Sequence, residues 1–327
     1  MAAINKKILS HLLKITIVSL AFWFIIRKLV SNDNLLNFID LLKQADTLQI
    51  ILVLGVVILL MLMNWGLEVW KWKRLVRNIE KISVQKAIQS VFCGLTLAVF
   101  TPSRIGEYGG RVFFLSPKRR IVGIVAMAVG NIGQMVLTNI FGAIASCFFI
   151  YRFVPVDTWL FYVILVAAAG FCLFMAMFYF NIGWIRGILL SFKLTRKYHK
   201  FYDVLSRYPS QELLRILMFC LGRYIVFSTQ YFILLQWLIP GLNYAEVLMM
   251  LCILFFIQSS LPSLDLFDIG VRSLTATYFF SFITTNEDNV AVIATTACIW
   301  LINIIIPAIL GTYFVFKLNF FGSNRRN

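Results

Sequence analysis

Six apolar runs, each about the length of a membrane-spanning helix, constrain this chain more than any other feature. They cover residues 9–30, 48–70, 121–149, 159–180, 213–238 and 290–316. About 20 helical residues cross the roughly 30 Å hydrocarbon layer of a bilayer. The chain is 61% hydrophobic with a mean hydropathy of +0.86, whereas a soluble domain is about half apolar. The sequence therefore predicts an all-α polytopic membrane protein with six transmembrane helices.

Basic residues predict how these helices are oriented, because short cytoplasmic loops are rich in Lys and Arg. Basic residues cluster before the first run (6–7), after the second (71–86) and before the third (118–120). Two more clusters follow the fourth run (186–207) and the last run (317–326). Both termini are thus predicted to be cytoplasmic, in the cell (inner) membrane. The net charge of +16 is then a topology signal, so we expect no nucleic-acid partner. No secretory cleavage pattern follows residues 9–30, which we interpret as a retained anchor.

Two further apolar segments, residues 87–100 and 245–257, are too short to cross. A run of 14 residues rises about 21 Å as a helix. The first segment is interrupted at Thr101-Pro102 and the second at residues 258–263, which include Pro262. Proline at a first helical position after a threonine cap is a normal helix start. We therefore predict that the chain turns back, through residues 103–115 and 264–283, to form two re-entrant hairpins.

The two hairpins occupy corresponding places in the chain. Residues 48–149 and 212–316 each follow the order span, hairpin, span, and enter the membrane from opposite sides. The predicted single membrane domain, residues 1–327, also contains an anchor helix with its outer loop (1–47), a linking helix with a basic connector (150–211) and a tail (317–327). Interrupted helices in matching places of two inverted halves mark the midplane site of many transporters.

The first hairpin carries the residues best suited to bind an anion. If residues 103–115 are helical, Arg104, Glu107, Tyr108 and Arg111 are spaced at i, i+3, i+4 and i+7 and share one face. Arginine presents a planar fork of donors that suits phosphate, and a helix N-terminus adds backbone donors. We therefore expect a substrate-binding wall there, with Gly106, Gly109 and Gly110 allowing close backbone approach.

The second hairpin supplies Asp265, Asp268 and Arg272, with Gly270 as its close-approach glycine. These carboxylates would balance the arginines, bind an amine or carry a coupled proton. Arg223, in the middle of the fifth run, is a further candidate for substrate binding. By contrast, we interpret Glu68, Trp70 and Trp72 as an interfacial belt at the inner end of the second run.

The segment Pro102-Ser103-Arg104-Ile105-Gly106-Glu107, followed by Arg111, resembles the Pro-x-Arg-x-Gly-Glu signature of the lysylphosphatidylglycerol synthase transmembrane-region family of flippase-like proteins. Pro262 and Gly270-Val271 resemble that family's second glycine-rich element, although Arg272 stands where many members have glutamate soon after it. The resemblance implies a bacterial or archaeal membrane protein that moves a lipid between leaflets. In the best-known relatives an aminoacyl-transferase domain follows the membrane region; because the last predicted span ends close to Asn327, we expect no such domain and no aminoacyl transfer here.

Three functions remain open from the sequence. The leading hypothesis is a transporter of an anionic or zwitterionic phospholipid or a polyprenyl-phosphate lipid. The alternatives are a membrane enzyme acting on lipid phosphates, and a non-transporting subunit that docks on envelope-lipid biosynthesis enzymes. A fourth interpretation gives the hairpin arginines a purely structural role, paired with Glu107, Asp265 and Asp268. The six cysteines lack metal-type spacing and neither histidine accompanies the hairpins, so we expect no enzyme activity, cofactor or metal.

Overall fold

A computed structural model of the chain describes residues 46–99, 101, 104–184, 208–260, 265–285 and 287–316. It also describes nine isolated positions, namely 12, 14–16, 19, 23, 187, 191 and 205, whereas side chains are not described for residues 265–271. Most of the first predicted span, most of the basic connector, the C-terminal tail, Pro102 and Pro262 lie outside these residues. So do the side chains of Asp265 and Asp268 and the surroundings of Gly270.

Ten α-helices form the described part of the chain. They are α1 Thr47–Val76, α2 Val84–Val99, α3 Ile105–Val112, α4 Arg120–Phe153, α5 Thr158–Phe180, α6 Ser210–Leu238, α7 Tyr244–Ser260, α8 Asp265–Phe280, α9 Asn289–Trp300 and α10 Ile306–Val315. A 3₁₀ turn, Pro117–Arg119, precedes α4, and a π-helical turn, Leu301–Ile305, joins α9 to α10.

Five of the described segments are long and apolar enough to cross a membrane: α1, α4 with its preceding turn, α5, α6 and the continuous α9–α10. They confirm five of the six predicted spans, and the remaining one falls outside the described residues. The short apolar helices α2 and α7 lie where the two interrupted segments were predicted. The protein is therefore an all-α polytopic membrane protein.

The two halves of the chain run in opposite directions. Gln230 Nε2 of α6 donates to the Val57 carbonyl of α1 at 2.8 Å, whereas Arg74, near the end of α1, contacts Glu212 at the start of α6. Position along α1 thus rises as position along α6 falls, so the first helices of the halves are antiparallel. Each half also supplies a helix that packs on the hairpin of the other half: α4 packs on α7, and α10 packs on α2. The predicted inverted repeat is confirmed for the helix order and direction.

The first hairpin, α2 and α3, begins and ends at the same end of the molecule. Glu80 lies between α1 and α2, and Ser116 lies just after α3. The Ser116 backbone N–H and hydroxyl donate to Glu80 Oε2 at 2.9 and 2.7 Å, and Lys86 Nζ lies 3.2 Å from Glu80 Oε1. The hairpin therefore opens toward the C-terminal end of α1 and the N-terminal end of α4.

In Glu80→Gln, the free energy of unfolding is expected to change less with pH in the acid range than it does in wild type. Hydrogen bonds from Ser116 and Lys86 overcome the effect of partial burial and lower the pKa of Glu80 from its ordinary 4.5. A carboxyl whose pKa is lower in the folded state adds stability above its unfolded value, and this is lost as pH falls through the folded value. Thermal midpoints in detergent should differ between wild type and Glu80→Gln at neutral pH and converge in acid. An equal difference at both pH values would contradict this assignment.

The second hairpin, α7 and α8, opens at the opposite end. Arg152 Nη2, in the last turn of α4, lies 2.5 Å from Glu246 Oε1 in the first turn of α7. The rings of Phe149 in α4 and Phe282, just after α8, have centroids 4.9 Å apart. Both ends of this hairpin thus meet the C-terminal end of α4, and the hairpins enter the bundle from opposite ends.

Glycines allow α2 and α3 to pack with their backbones nearly touching. A methyl group on Gly110 would lie 2.5 Å from Gly94 Cα, and one on Gly106 would lie 2.2 Å from the Leu97 carbonyl oxygen. Neither space admits a carbon atom. The expectation for Gly109 was wrong, because its nearest neighbour would be the Phe113 ring, at an ordinary 3.7 Å.

Gly110→Ala is therefore expected to cost about 1–3 kcal/mol, the usual range for overpacking. The added methyl group has only the Gly94 backbone to push against. Gly109→Ala is the matched control, one position away on the same helix, and should be neutral or slightly stabilising because alanine favours helix more than glycine does. Unfolding midpoints in detergent measure both variants, and equal stability would mean that the hairpin does not require this close approach.

The last span carries a local defect that connects the two halves. Pro307 has no backbone N–H, so the carbonyl four residues earlier, that of Asn303, lacks its helical donor. Trp65 Nε1 of α1 donates to that carbonyl at 3.2 Å. Pro307 thus frees a buried acceptor that another helix satisfies, as a backbone group in a membrane requires.

Candidate anion site between α1, α3 and α6

The polar residues of α1 form a stripe that faces the protein interior. Asn64, Glu68 and Lys71 are spaced at i, i+4 and i+7 and are only 4%, 2% and 1% exposed. The helix continues to Val76, well beyond the apolar run that defines the predicted span. Glu68 lies near the end of that run, about 12 Å before the helix ends, and Lys71 lies just beyond the run; both side chains face the bundle.

Glu68 is the centre of the site because three cations converge on its carboxylate. Arg111 Nη1 lies 2.6 Å from Oε1, and Lys71 Nζ lies 2.7 Å from Oε2. Arg223 of α6 also forms an ion pair with Oε2, and its Nε donates to Asn64 Oδ1 at 2.9 Å. Helices from both halves are therefore joined through one buried carboxylate.

Glu107 is a second, more accessible carboxylate in the same network. It forms an ion pair with Arg111, one turn further along α3. Arg104 Nε lies 3.2 Å from Glu107 Oε2. The chain Glu68, Arg111, Glu107, Arg104 thus connects the buried centre to the start of α3.

Two arginines of the network each lie near the ring of a tryptophan. The guanidinium carbon of Arg111 lies 5.8 Å from the ring centroid of Trp72, and that of Arg223 lies 5.3 Å from the ring of Trp65. An arginine over an indole face is stabilised by cation–π attraction. Trp65 also donates a hydrogen bond to the Asn303 carbonyl. The same indole therefore contacts both Arg223 and the defect in the last span.

The network of described side chains has more positive than negative charge. Arg104, Arg111, Lys71 and Arg223 supply four positive charges, and Glu68 and Glu107 supply two negative ones. The four most buried side chains, those of Glu68, Glu107, Lys71 and Arg111, balance one another, as buried charges are expected to do. Among the side chains that the structure describes, the surplus of two positive charges therefore lies on the more exposed Arg104 and Arg223.

Exposure increases along the network from Arg111 to Arg104. The side chains of Arg111 and Glu68 are 2% exposed, that of Glu107 is 13%, and that of Arg104 is 36%. The Arg223 side chain is 19% exposed. Buried Arg111 Nε has no hydrogen-bond partner among the described residues. The network is therefore most exposed at Arg104 and has an unpartnered donor, Arg111 Nε, at its buried end.

Arg104 adopts a backbone conformation that differs from the prediction. The predicted helix started at Ser103, whereas α3 starts at Ile105 and Arg104 is left-handed, with φ 55° and ψ 26°. Such a conformation costs a non-glycine residue roughly 1–3 kcal/mol and is frequent at binding sites. Thr101 is therefore not the N-cap residue, although its Oγ1 accepts from the Gly106 N–H in the first turn of α3 at 2.8 Å.

One predicted binding residue lies apart from the network. Tyr108 shares a helix with Glu107 but contacts α4, where Asn131 Nδ2 donates to its hydroxyl at 2.7 Å. Arg272 lies on α8, which packs against α7 and α9. The structure thus brings Arg104, Glu107, Arg111 and Arg223 together and places the Tyr108 hydroxyl against α4.

The interpretation of Glu68 and Trp72 as an interfacial belt was wrong. Both side chains are buried, whereas Trp70 is 51% exposed, as a belt residue would be. The spacing of Asn64, Glu68 and Lys71 was the signal in the sequence that could have identified the stripe.

No family model, curated protein or solved structure matches the chain. Within the described residues, no group of three metal-ligating side chains comes together.

Proposed function

We propose that this protein moves a lipid with a phosphate headgroup, a phospholipid or a polyprenyl phosphate, between the leaflets of the cell membrane. The observation that carries the proposal is the ion-paired network around Glu68 and Glu107, in which four cations, supplied by Arg104, Arg111, Lys71 and Arg223, meet two carboxylates. Charges inside a membrane protein are costly and usually mark a pathway or a site. An anionic headgroup is the ligand that such a surplus favours.

The pairing of the network suggests how a headgroup would enter. Glu107 forms ion pairs with both Arg104 and Arg111 and is the more accessible of the two carboxylates. A phosphate oxygen accepts the same charge-assisted hydrogen bonds as a carboxylate. We therefore infer that a headgroup replaces Glu107 at Arg104 and then at Arg111, while Glu68 keeps Lys71 and Arg223 in position.

The architecture supports transport for a second reason. The halves are antiparallel, and their hairpins open at opposite ends of the bundle. Interrupted helices in inverted halves provide alternating access in many transporters. Rocking of the first hairpin against α1 would expose Arg104 to one side, and movement of the second hairpin would open the other.

Orientation and resemblance agree with this proposal. The end of α1, the opening of the first hairpin and the start of α6 lie together, and each is basic or next to a basic segment. By the positive-inside tendency this end faces the cytoplasm. The signature from Pro102 to Glu107 resembles that of flippase-like proteins, and Arg104 and Glu107 of that signature belong to the network.

The direct test is reconstitution of the purified protein into liposomes that carry fluorescent lipids of four kinds. Anionic phospholipid, zwitterionic phospholipid, polyprenyl phosphate and an uncharged diacylglycerol are compared for movement, measured as loss of protection from a membrane-impermeant quencher. Accelerated movement of one or more phosphate lipids, with none for diacylglycerol, is expected. Equal acceleration of all four lipids, or of none, would overturn the proposal.

A further inference from the structure

A second basic site lies outside the bundle, at the end of α1. The described residues leave a cavity of about 420 Å³ there, lined by Trp70, Lys73, Arg74, Arg77, Lys81, Ile82 and Phe219. Lys71 and Trp72, which lie between these residues in the chain, face the interior. The cavity is therefore on the opposite side of α1 from the network around Glu68.

The cavity has more cations than the nearby carboxylate neutralises. Glu212 contacts Arg74 at 2.8 Å and Arg77 at 3.5 Å, and it also contacts Arg215 at 3.0 Å. Lys73 and Lys81 have no carboxylate partner among the described residues. Lys73 Nζ instead lies 5.0 Å from the ring centroid of Trp70. Two ammonium groups are thus available to an anion.

The position of the cavity indicates that the anion is attached to a lipid. Trp70, Ile82 and Phe219 give the cavity an apolar wall beside its basic side. The apolar part of α1 ends within the same two turns that supply Lys73 and Arg77. Such a change from apolar to basic, with an exposed tryptophan, is typical of the headgroup layer of a membrane.

We propose that this cavity binds the headgroup of an anionic phospholipid as a fixed lipid of the membrane surface. Lys73 and Lys81 bind the phosphate, and the wall of Trp70 and Phe219 receives the upper part of an acyl chain. Because the site lies on the outer side of α1, it is separate from the network around Glu68. The proposal does not depend on transport.

The experiment counts lipids bound to the full chain by native mass spectrometry in a neutral detergent. Short-chain phosphatidylglycerol, phosphatidylcholine of the same chain length and inorganic phosphate are titrated separately. Each basic residue near an anionic lipid surface contributes about fivefold to binding. The double variant Lys73→Gln/Lys81→Gln should therefore weaken the tightest phosphatidylglycerol site roughly 25-fold, whereas Lys73→Arg/Lys81→Arg should retain it.

The matched control removes the same charge elsewhere. Lys118→Gln/Arg119→Gln alters two exposed basic residues near the same end of the molecule that do not line the cavity, and should leave the tightest site unchanged. Equal weakening in the control would overturn the proposal. So would equal binding of phosphatidylcholine, or inorganic phosphate that displaces the lipid at a similar concentration, since the site would then bind a soluble anion.

Discussion

Glu68→Gln should destabilise the protein by about 3–5 kcal/mol, the cost of removing one partner from a buried ion pair. The carboxylate contacts Lys71, Arg111 and Arg223, and it is 2% exposed. Glutamine keeps the shape but removes the negative charge, so the surplus positive charge of the described network rises from two to three. Chemical or thermal unfolding of the purified protein, followed by tryptophan fluorescence, measures the change.

Glu212 provides a matched control for this prediction. It also contacts three cations, but the side chains of Arg74, Arg77 and Arg215 are 25%, 54% and 57% exposed. Exposed ion pairs contribute about 0–1 kcal/mol, so Glu212→Gln should cost far less. If Glu68→Gln and Glu212→Gln lower the free energy of unfolding by the same amount, burial does not determine the contribution of Glu68. The network around Glu68 would then not be the centre that holds the bundle together.

A double variant tests whether the surplus positive charge causes the loss of stability in Glu68→Gln. Glu68→Gln/Lys71→Met removes one cation together with the carboxylate and returns the surplus to two. Because Lys71 is 1% exposed and lies among helices, methionine occupies its volume without a charge. Partial recovery of stability relative to Glu68→Gln is expected. A double variant less stable than Glu68→Gln alone would show that Lys71 stabilises the bundle through other contacts.

The sequence predicted the spans and the hairpins because both depend on local properties. Apolar length defines a crossing helix, and Thr101-Pro102 and residues 258–263 interrupt two runs that are too short to cross. The antiparallel relation of the halves followed from charge alone. All of these features can be inferred without knowing which helices touch.

The part that could not be predicted depends on contacts between distant segments. Glu68 is in a site because helix packing turns its side chain inward and because Arg223, 155 residues later, lies opposite it. In the same way, the Asn303 carbonyl is free because of Pro307, but only packing brings Trp65 to it. Tyr108 shares the predicted face by spacing, yet Asn131 of α4 draws its hydroxyl away from the network.

Arg104→Gln should reduce the movement of phosphate lipids about 10- to 100-fold while leaving the protein folded. A hydrogen bond to a charged group contributes about 1.5–3 kcal/mol, and Arg104 is the accessible end of the network. Its side chain is 36% exposed and its partner Glu107 retains Arg111, so stability should change by no more than about 1 kcal/mol. The liposome assay and an unfolding curve of the same preparation separate the two effects.

Arg104 is a sharper probe than Glu107, although both belong to the predicted site. Glu107→Gln would leave Arg111 with Glu68 alone, so a loss of transport would mix binding with altered packing. Arg104→Lys keeps the charge without the planar fork and should be intermediate. Arg119→Gln removes an exposed arginine outside the network, next to the opening of the first hairpin, and should transport normally. Full transport by Arg104→Gln would instead favour the structural interpretation, in which the arginines only hold α3 against α1.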